Sequence, residues 1–166
     1  MDELALGLSI ALSEEAAAAP LAAFRRQCDA WGVAMPRVSP LVLDFGLGNF
    51  PHTGLVEFWI CNDATAGYCG KYLFVFDGQT CPMHRHAKKH ETFFIVKGAV
   101  QMTCGHAIRP MHEGDVLPVA PGCFHSFTGI GPALLLELST PCEIADNFFE
   151  NANIPFGANA RNTPHK

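Results

Sequence analysis

From about residue 41 onward, the chain consists of short apolar segments that are each bounded by Gly, Pro, Asn or Asp. Their length, their nearly even spacing and the turn residues between them predict β-strands. The predicted strands cover residues 41–45, 55–61, 69–76, 79–85, 91–97, 99–104, 115–119, 123–128 and 133–139. Hairpin turns are predicted at Lys97-Gly98 and Gly105-His106. So many short strands in one chain indicate an all-β sandwich or barrel.

The N-terminal part of the chain follows a different, helical pattern. Ser13 before two glutamates predicts a helix start, and Pro20 suits the first turn of a second helix. Gly32 marks the predicted end of the helical region. The apolar residues that recur at helical spacing are Leu21, Phe24, Cys28 and Trp31. This pattern predicts a helix packed over the edge of a sheet.

Length and composition indicate one folded domain. The 166 residues suffice for a single core, and a hydrophobic content of 49% argues against disorder. The net charge of −5, without any basic cluster, argues against nucleic acid or an anionic membrane as a partner. The pattern divides the chain into a helical segment (1–36), a β-barrel domain (37–146) and a tail (147–166). The tail is rich in Asn, Pro and Gly, so we expect it to be loosely held.

Cysteine usage and the N-terminal residues predict a cytoplasmic protein. Seven cysteines, an odd number, are scattered through apolar segments, which indicates reduced thiols rather than a disulfide framework. None forms a C-x-x-C pair, so a cysteine zinc site is disfavoured. The N-terminal apolar run begins with acidic residues and is interrupted by Glu14-Glu15, unlike a signal peptide. No stretch approaches the ~20 apolar residues of a membrane-spanning helix.

Three histidines and a glutamate have the spacing of ligands for one metal ion. His84 and His86 are two residues apart, so a strand places both imidazoles on one face. Glu91 begins the next strand of the same predicted hairpin and can return to that point, while His125 comes from a second hairpin. This mixed nitrogen and oxygen set suits manganese, iron, cobalt or nickel, with zinc as a further option. A six-coordinate ion with these four ligands keeps two positions open for adjacent substrate oxygens.

Four further charged residues are candidates for catalysis. Glu137 interrupts the apolar segment 133–138, where a carboxylate is costly unless it faces a polar cavity; the alternative is an outward-facing glutamate at a barrel edge. Lys71 interrupts another apolar segment in the same way, and its alternative is a solvated lysine on the outer face. Lys89 is either a group that binds a substrate hydroxyl at the mouth of the site or a solvated loop lysine. Asp146 is either a second acid–base group or a helix cap.

The ligand candidates and the glycines around them resemble the cupin pattern. The first cupin motif, G-x5-H-x-H-x3–4-E-x6-G, is met by Gly78, His84, His86, Glu91 and Gly98. The second, looser match consists of Gly114, Pro121, Gly122 and His125. Gly129 stands where that motif has its final Asn. Over residues 70–140, the resemblance implies a double-stranded β-helix, or jelly-roll barrel, with the metal inside.

A narrower resemblance, over residues 41–150, is to the D-lyxose isomerase family of cupins. The segments that carry it are 44–48, 68–71, 78–86, 91–93 and 137–140. The resemblance implies the interconversion of an aldose and a ketose, D-lyxose with D-xylulose, with a divalent metal that is often manganese. A metal that holds two sugar oxygens spreads the charge of an enediolate, while a carboxylate moves the proton between C1 and C2. We expect Glu137 to be that base and Lys71 to steady the developing oxyanion.

Two other functions stay open at this point. The same four ligands would serve a ferrous dioxygenase, which needs iron and dioxygen, or a cupin that binds a metal or ligand without turnover. Lys71 and Glu137 inside the cavity would favour the isomerase, whereas outward positions of both would reject it. The substrate is expected to be a free sugar, because no cluster of Arg and Lys resembles a phosphate clamp. The helical segment and the need to protect the edge strands of a small jelly roll predict a homodimer.

Overall fold

Two antiparallel β-sheets face each other in the computed structural model, which describes residues 2–158. The sheets are preceded by two helices, α1 (Glu3–Ile10) and α2 (Glu14–Trp31). The strands are β1 (Pro40–Leu43), β2 (Leu55–Asp63), β3 (Tyr68–Val75), β4 (Thr80–His86), β5 (Glu91–Lys97), β6 (Ala99–Cys104), β7 (Ala107–His112), β8 (Val116–Val119), β9 (His125–Gly129), β10 (Ala133–Ser139) and β11 (Asn147–Phe149). A short 3-10 helix, Ile144–Asp146, separates the last two strands.

The strand order defines the fold. One sheet has six strands in the order β1-β2-β3-β10-β5-β8, and the other has five in the order β11-β4-β9-β6-β7. From β3 onward, each connection crosses from one sheet to the other, except that β6 and β7 stay in the same sheet. This alternation is a double-stranded β-helix, and it confirms the all-β jelly roll that the sequence predicted.

The two predicted hairpin turns have different outcomes. Gly105-His106 forms the hairpin between β6 and β7, as predicted. The prediction at Lys97-Gly98 is wrong, because this turn joins β5 in one sheet to β6 in the other. Gly98 has a φ of 74°, and a Cβ atom there would overlap the carbonyl oxygen of Pro132. Glycine is therefore required at this point by a close crossing of two chain segments rather than by a hairpin.

Two strands of the structure were not predicted. β7 has five exposed residues out of six and contains Pro110, so neither alternation nor apolar content marks it. β11 lies in the region that we expected to be loosely held. It pairs with β4, and both Phe149 and Ile154 are buried in the core, so the expectation of a loose tail is wrong for residues 147–154. Residues 159–166 of the predicted tail lie outside the described part of the chain.

The helical segment contains one short and one long helix, and no new helix begins at Pro20. The Ser13 hydroxyl accepts the backbone N–H of Ala16 at 3.3 Å, which confirms the predicted start of α2. Gly32 ends this helix in the left-handed conformation with a φ of 65°, also as predicted. Pro20 is the seventh residue of α2, so the helix loses one internal hydrogen bond there but continues.

Phe24 attaches α2 to the outer face of the six-stranded sheet. Its ring centroid lies 5.0 Å from those of both Phe58 and Phe74. Val56, Phe74 and Leu134 are completely buried in the same apolar cluster. Burying one phenylalanine side chain contributes about 1.5–3 kcal/mol. The predicted packing of this helix on a sheet is thus confirmed, but the helix covers the outer face from the edge strand β1 to the internal strands β2, β3 and β10 rather than the predicted sheet edge alone. Its packing leaves the inner face of the sheet to the core and the site.

The interior between the sheets contains both apolar and charged side chains. The largest fully buried apolar side chains there include Ile95, Met102, Phe127 and Leu135.

Among the described residues, all seven cysteines are free, as the odd count predicted. No single described helix is long and apolar enough to cross a membrane; α1 and α2 reach that length and composition only as a pair, with a bend of 97° between them.

Candidate metal centre and active site

Three histidines present their Nε2 atoms to one point because each Nδ1 is tied to the main chain. Nδ1 of His84 and of His125 lies 2.8 and 3.1 Å, respectively, from the carbonyl oxygen two residues earlier, and Nδ1 of His86 lies 3.2 Å from the carbonyl oxygen of Asp146. A carbonyl oxygen only accepts hydrogen bonds, so each Nδ1 carries the proton. Burial, together with the neighbouring His125 and His86, holds the pKa of His84 well below its usual value. The neutral His84 ring therefore directs a free Nε2 lone pair inward, and the same contact of Nδ1 with the main chain turns Nε2 of His86 and His125 toward that point.

Glu91 completes the cluster, and its contacts call for a cation. Its Oε1 lies 3.2 Å from Nε2 of His86, and its Oε2 lies 3.0 Å from Nε2 of His125. Among the described residues, the buried side-chain atoms without a hydrogen-bond partner are Nε2 of both these histidines and Oε2 of Glu91. Buried polar atoms rarely lack a partner, and lone pairs that face a carboxylate repel it. The ligand atoms of the three histidines lie within 4.8 Å of one another, so a divalent metal ion fits this donor set.

The four side chains come from both sheets, which corrects the predicted hairpins. His84 and His86 lie on β4, and His125 lies on the neighbouring β9, directly opposite His84. Glu91 begins β5, which belongs to the other sheet. The loop of residues 87–90 therefore crosses the barrel and does not turn a hairpin. The convergence itself is as predicted, because the period of two along β4 holds whichever sheet the next strand joins.

Lys89 and Glu137 extend this cluster into a row of alternating charges, which consists of Glu91, Lys89, Glu137, Lys71 and Glu57. The Lys89 ammonium group donates to Oε1 of Glu91 at 2.8 Å and also donates to Oε1 of Glu137. Lys89 is 4% exposed, so the alternative of a solvated loop lysine is wrong. Glu137 and Lys71 are register partners on β10 and β3, and both line the cavity beside the metal centre. The outward-facing alternatives for these two residues are therefore wrong as well.

The charges of this row set the protonation of Glu137. Burial acts to raise the pKa of its carboxyl group, but Lys89 and Lys71 outweigh burial, and the pKa lies below the usual value. Burial acts to lower the pKa of Lys89, and Glu137 more than compensates, so that pKa is raised. Glu91 follows the same logic: burial acts to raise its pKa, and Lys89 brings it well below the usual value. The row is thus an alternation of carboxylates and ammonium groups.

Lys71 continues the row away from the metal centre. Its ammonium group lies 3.4 Å from Oε2 of Glu57, 3.3 Å from Sγ of Cys142 and 4.1 Å from the centre of the Trp59 ring. Burial acts to lower the pKa of Lys71, but Cys142 and Glu57 raise it well above the usual value. The indole N–H of Trp59 donates to the same Glu57 oxygen at 2.6 Å. This end of the row is therefore fixed by several contacts.

Sequence reasoning missed two polar residues of the cavity, Glu57 and Asn147. Glu57 interrupts the apolar residues of β2 just as Glu137 interrupts those of β10, so the same signal could have identified it. Asn147 had no such signal, because it lies in the segment expected to be loose. The apolar lining of the cavity is formed by Leu55, Leu73, Cys81, Phe93 and Phe127.

Asp146 does not line the cavity, so its predicted role as an acid–base group requires correction. Its carboxylate accepts the backbone N–H groups of Ala87, Lys88 and Lys89 at 3.0–3.1 Å. Its carbonyl oxygen faces Nδ1 of His86. Asp146 therefore holds the loop that carries Lys89 and orients the His86 ring. This role is closer to the predicted alternative, a helix cap, although Asp146 caps a loop rather than a helix.

The remaining histidines lie away from this cluster. His52, His90, His106 and His112 are exposed, as predicted from their positions in loops or on outer strand faces. His165 lies outside the described residues.

A double-stranded β-helix that gathers three histidines and a glutamate in its interior is a cupin, and residues 74–139 match the cupin domain family model. Residues 41–104 match the model of the D-lyxose isomerase family.

Two curated relatives support the narrower assignment. The chain is 45% identical over 142 aligned residues to the D-lyxose/D-mannose isomerase of Thermosediminibacter oceani, an alignment that covers 68% of this chain and 77% of the relative. The D-lyxose ketol-isomerase of Cohnella laeviribosi is 34% identical over 128 aligned residues, and this alignment covers 60% of this chain and 69% of the relative. The chain belongs to the D-lyxose isomerase family of cupins.

Solved structures show the same fold at lower identity. The L-ribose isomerase of Cellulomonas parahominis, determined with L-ribose, superposes with a TM-score of 0.67 at 14% identity and covers 84% of this chain and 93% of its own. The L-ribose isomerase of Acinetobacter sp. DL28, also in complex with L-ribose, gives a TM-score of 0.65 at 12% identity, with coverages of 80% and 82%. The similarity extends beyond the β-strands common to cupins, since it includes more than three quarters of this chain.

Proposed function

We propose that the protein is a metal-dependent aldose–ketose isomerase that interconverts D-lyxose and D-xylulose, or a closely related free aldose and ketose. The observation that carries this proposal is Glu137, a buried and ionised carboxylate in the cavity beside a cluster that can hold a divalent ion. A buried carboxylate with a perturbed pKa in a cleft is typical of an acid–base catalyst. The names of the two curated relatives support the same type of reaction.

His84, His86, Glu91 and His125 would hold the ion. When bound, a divalent ion supplies Lewis-acid polarisation of two adjacent sugar oxygens. We propose manganese, because an octahedral ion with four protein ligands keeps two positions for those oxygens, whereas a tetrahedral zinc ion with four protein ligands keeps none. Iron, cobalt and nickel share this property and belong in the same metal panel.

The charge balance of the row supports an anionic intermediate. Glu57, Glu91 and Glu137 contribute three negative charges, and Lys71 and Lys89 contribute two positive ones, which leaves one net negative charge. A divalent ion converts this balance to one net positive charge. When Glu137 takes the proton, its carboxyl group becomes neutral, so two net positive charges of the loaded cavity would face the single negative charge of the enediolate. Fixed charges that oppose a developing charge in a water-poor site stabilise it strongly.

Glu137 would take a proton from C2, the carbon next to the carbonyl group, and return it to C1, while the hydroxyl proton on O2 moves to O1 to complete the ketose. Its lowered pKa keeps it ionised at neutral pH, as a base must be, but also makes it a weak base. Lys89 offers a way to strengthen it, because its ammonium group is shared between Glu137 and Glu91. If an N–H group of Lys89 donates to a sugar oxygen instead of to Glu137, the carboxylate loses part of this interaction. The pKa of Glu137 then rises at the moment when a stronger base is needed.

Lys71 would face the developing oxyanion from the other side of Glu137, because the two residues are register partners. Its contacts with Glu57 and the Trp59 ring keep its long side chain in one position. Asp146 would act as a positioning residue, since it holds the backbone of Lys89 and orients His86. A fixed donor geometry lowers the barrier because less reorganisation accompanies the reaction.

The test is ketose formation from a panel of pentoses and hexoses with the manganese-loaded protein. We expect conversion of D-lyxose to D-xylulose, loss of this activity with a chelator and full activity under nitrogen, because the reaction needs no oxidant. Replacement of Glu137→Gln keeps the shape but removes the base, and we expect kcat to fall about 10²–10⁴-fold. Glu143→Gln is the matched control, because the Glu143 side chain is 50% exposed and pairs with exposed Lys88.

Three results would contradict the proposal. The first is a lack of ketose from every aldose with every divalent metal, which would favour a binding cupin. The second is turnover that requires iron and dioxygen, which would favour the dioxygenase. The third is a Glu137→Gln variant that retains the activity of the Glu143→Gln control.

We further propose that the protein is a cytoplasmic homodimer. Seven free thiols suit a reducing compartment. The outer face of the six-stranded sheet exposes Phe94, Val116 and Leu138 on adjoining strands, at 36%, 53% and 54%. Contiguous exposed apolar side chains are typical of protein interfaces. Light scattering of the purified protein measures the mass, and a Leu138→Lys variant is expected to shift it from dimer to monomer.

A further inference from the structure

A second, mostly apolar compartment adjoins the cavity beside the metal centre. Glu57, Lys71 and Asn147 line both, so the two compartments share a wall. The apolar side chains around the second compartment belong to Ile10, Leu43, Phe45, Trp59, Phe149 and Phe156. They come from α1, β1, β2, β11 and the segments that follow β1 and β11, so no local sequence pattern could have revealed the compartment.

The walls of this compartment are packed aromatic rings and a closely fitted helix. The rings of Phe45, Phe149 and Phe156 contact one another, with centroids 5.5–6.1 Å apart. On the side of α1, a Cβ atom at Gly7 would lie 2.6 Å from Cδ2 of Leu41, so glycine lets the helix backbone pack closely on the Leu41 side chain. Groups that interlock in this way keep their positions, and the compartment is therefore formed before a ligand arrives.

At the shared wall, one carboxylate oxygen of Glu57 and the amide nitrogen of Asn147 already have protein partners. Oε2 of Glu57 accepts hydrogen bonds from Trp59 and Lys71. The side-chain amide of Asn147 donates to the carbonyl oxygen of Ile144 at 2.9 Å. Beyond this wall, a ligand group meets aliphatic and aromatic surface. A hydroxyl group that enters would lose its hydrogen bonds to water without replacement, whereas a methyl group would gain from leaving water.

We infer that this compartment receives the end of the sugar chain and that the substrate class includes 6-deoxy aldohexoses, in which the terminal carbon is a methyl group. The inference rests on the proposed function, because reaction at C1 and C2 places one end of the open chain beside Glu137 and lets the other end reach Glu57 and Asn147. The compartment has a volume of about 50 Å³, which suits one end group rather than a whole sugar.

Three aldoses with the same configuration at C2, C3 and C4 test the inference: D-lyxose, D-mannose and 6-deoxy-D-mannose. With manganese-loaded protein, we expect kcat/KM for 6-deoxy-D-mannose to exceed that for D-mannose about tenfold or more, the scale of discrimination by an apolar pocket. A ratio of one or less would overturn the inference but not the proposed function, provided that D-lyxose or D-mannose reacts. If none of the three reacts, the proposed function itself fails.

Binding of polyols without a carbonyl group gives a second readout that is independent of turnover. Calorimetry on the manganese-loaded protein is expected to show about tenfold tighter binding of 6-deoxy-D-mannitol than of D-mannitol. In an Ile10→Ser variant, which brings a hydroxyl group into the compartment, this ratio should fall toward one. Leu8→Ser is the matched control on the same helix, because Leu8 is 44% exposed and lies outside the compartment. Equal affinities in the unmodified protein, or equal ratios in the two variants, would refute the placement of the chain end here.

Discussion

Replacement of Lys89 by methionine is expected to destabilise the metal-free protein strongly at neutral pH. The Lys89 ammonium group donates to Glu91 and Glu137, and all three side chains are at most 5% exposed. Methionine keeps the apolar stem of lysine but leaves both carboxylates without this donor. Removing one partner of a buried ion pair costs about 3–5 kcal/mol, because the remaining charge is uncompensated.

The same substitution should change the pH dependence in a defined direction. Burial raises the pKa of Glu137 while Lys89 and Lys71 lower it, and the net result lies below the usual 4.5. A carboxyl group with a lowered folded-state pKa adds stability above its unfolded-state pKa, and this stability is lost as the pH falls through the folded-state pKa. Without Lys89, the pKa of Glu137 rises. The acidic limb of the pH–activity profile should therefore move to higher pH, and the stability difference from the unmodified protein should shrink as the pH falls.

Lys88→Met is the control for this experiment, because it makes the same chemical change at the adjacent residue. The Lys88 side chain is 70% exposed and pairs with exposed Glu143, and exposed pairs contribute less than about 1 kcal/mol. Urea unfolding in the presence of a chelator at neutral pH measures both variants, and initial rates of the metal-loaded proteins across a pH series give the activity profiles. Equal stability losses in the two variants, with an unmoved acidic limb for Lys89→Met, would refute the argument that Lys89 neutralises the buried row.

Three further outcomes follow from the geometry. Gly98→Ala should lower the free energy of unfolding by about 2–3 kcal/mol because of backbone strain and the overlap with Pro132. Gly114→Ala should cost less, because no atom lies within 4 Å of the added methyl group. Thermal unfolding of the two variants compares these losses. Asp146→Asn replaces one acceptor of the loop N–H groups by a donor. Calorimetry should then show divalent-metal binding that is weakened about 10–100-fold. An unchanged metal affinity would contradict the positioning role of Asp146. Manganese at about 100 times its Kd should raise the free energy of unfolding in urea by about 2.7 kcal/mol, and the absence of this increase in the unmodified protein would argue against a metal site.

The sequence predicted the site more completely than it predicted the path of the chain. His84 and His86 share a face whenever residues 80–86 form a strand, so their convergence with His125 did not depend on the wider topology. The sheet to which each strand belongs depends on long-range packing, which local patterns do not encode. For this reason the predicted hairpin through Gly98 was wrong although Glu91 still reaches the cluster.

The missed elements share a physical cause. β7 is held by backbone pairing with β6, and its side chains are mostly exposed, so hydrophobic periodicity carried no signal. β11 is only three residues long and is followed by a polar segment that contains Asn, Pro and Gly. Pro20 suggested a helix start because proline is favoured in the first turn, but packing of Phe24 on the sheet keeps α2 continuous through it. Tertiary contacts decided each of these cases.

The division of the metal-ligand candidates between two layers has a mechanical consequence. His84, His86 and His125 are attached to the five-stranded layer, and Glu91 is attached to the six-stranded layer. An ion bound to all four would cross-link the two layers in the barrel interior, where no backbone ladder joins them. Its release would leave every ladder intact, so the ion would add a connection between the layers that the backbone hydrogen bonds do not supply.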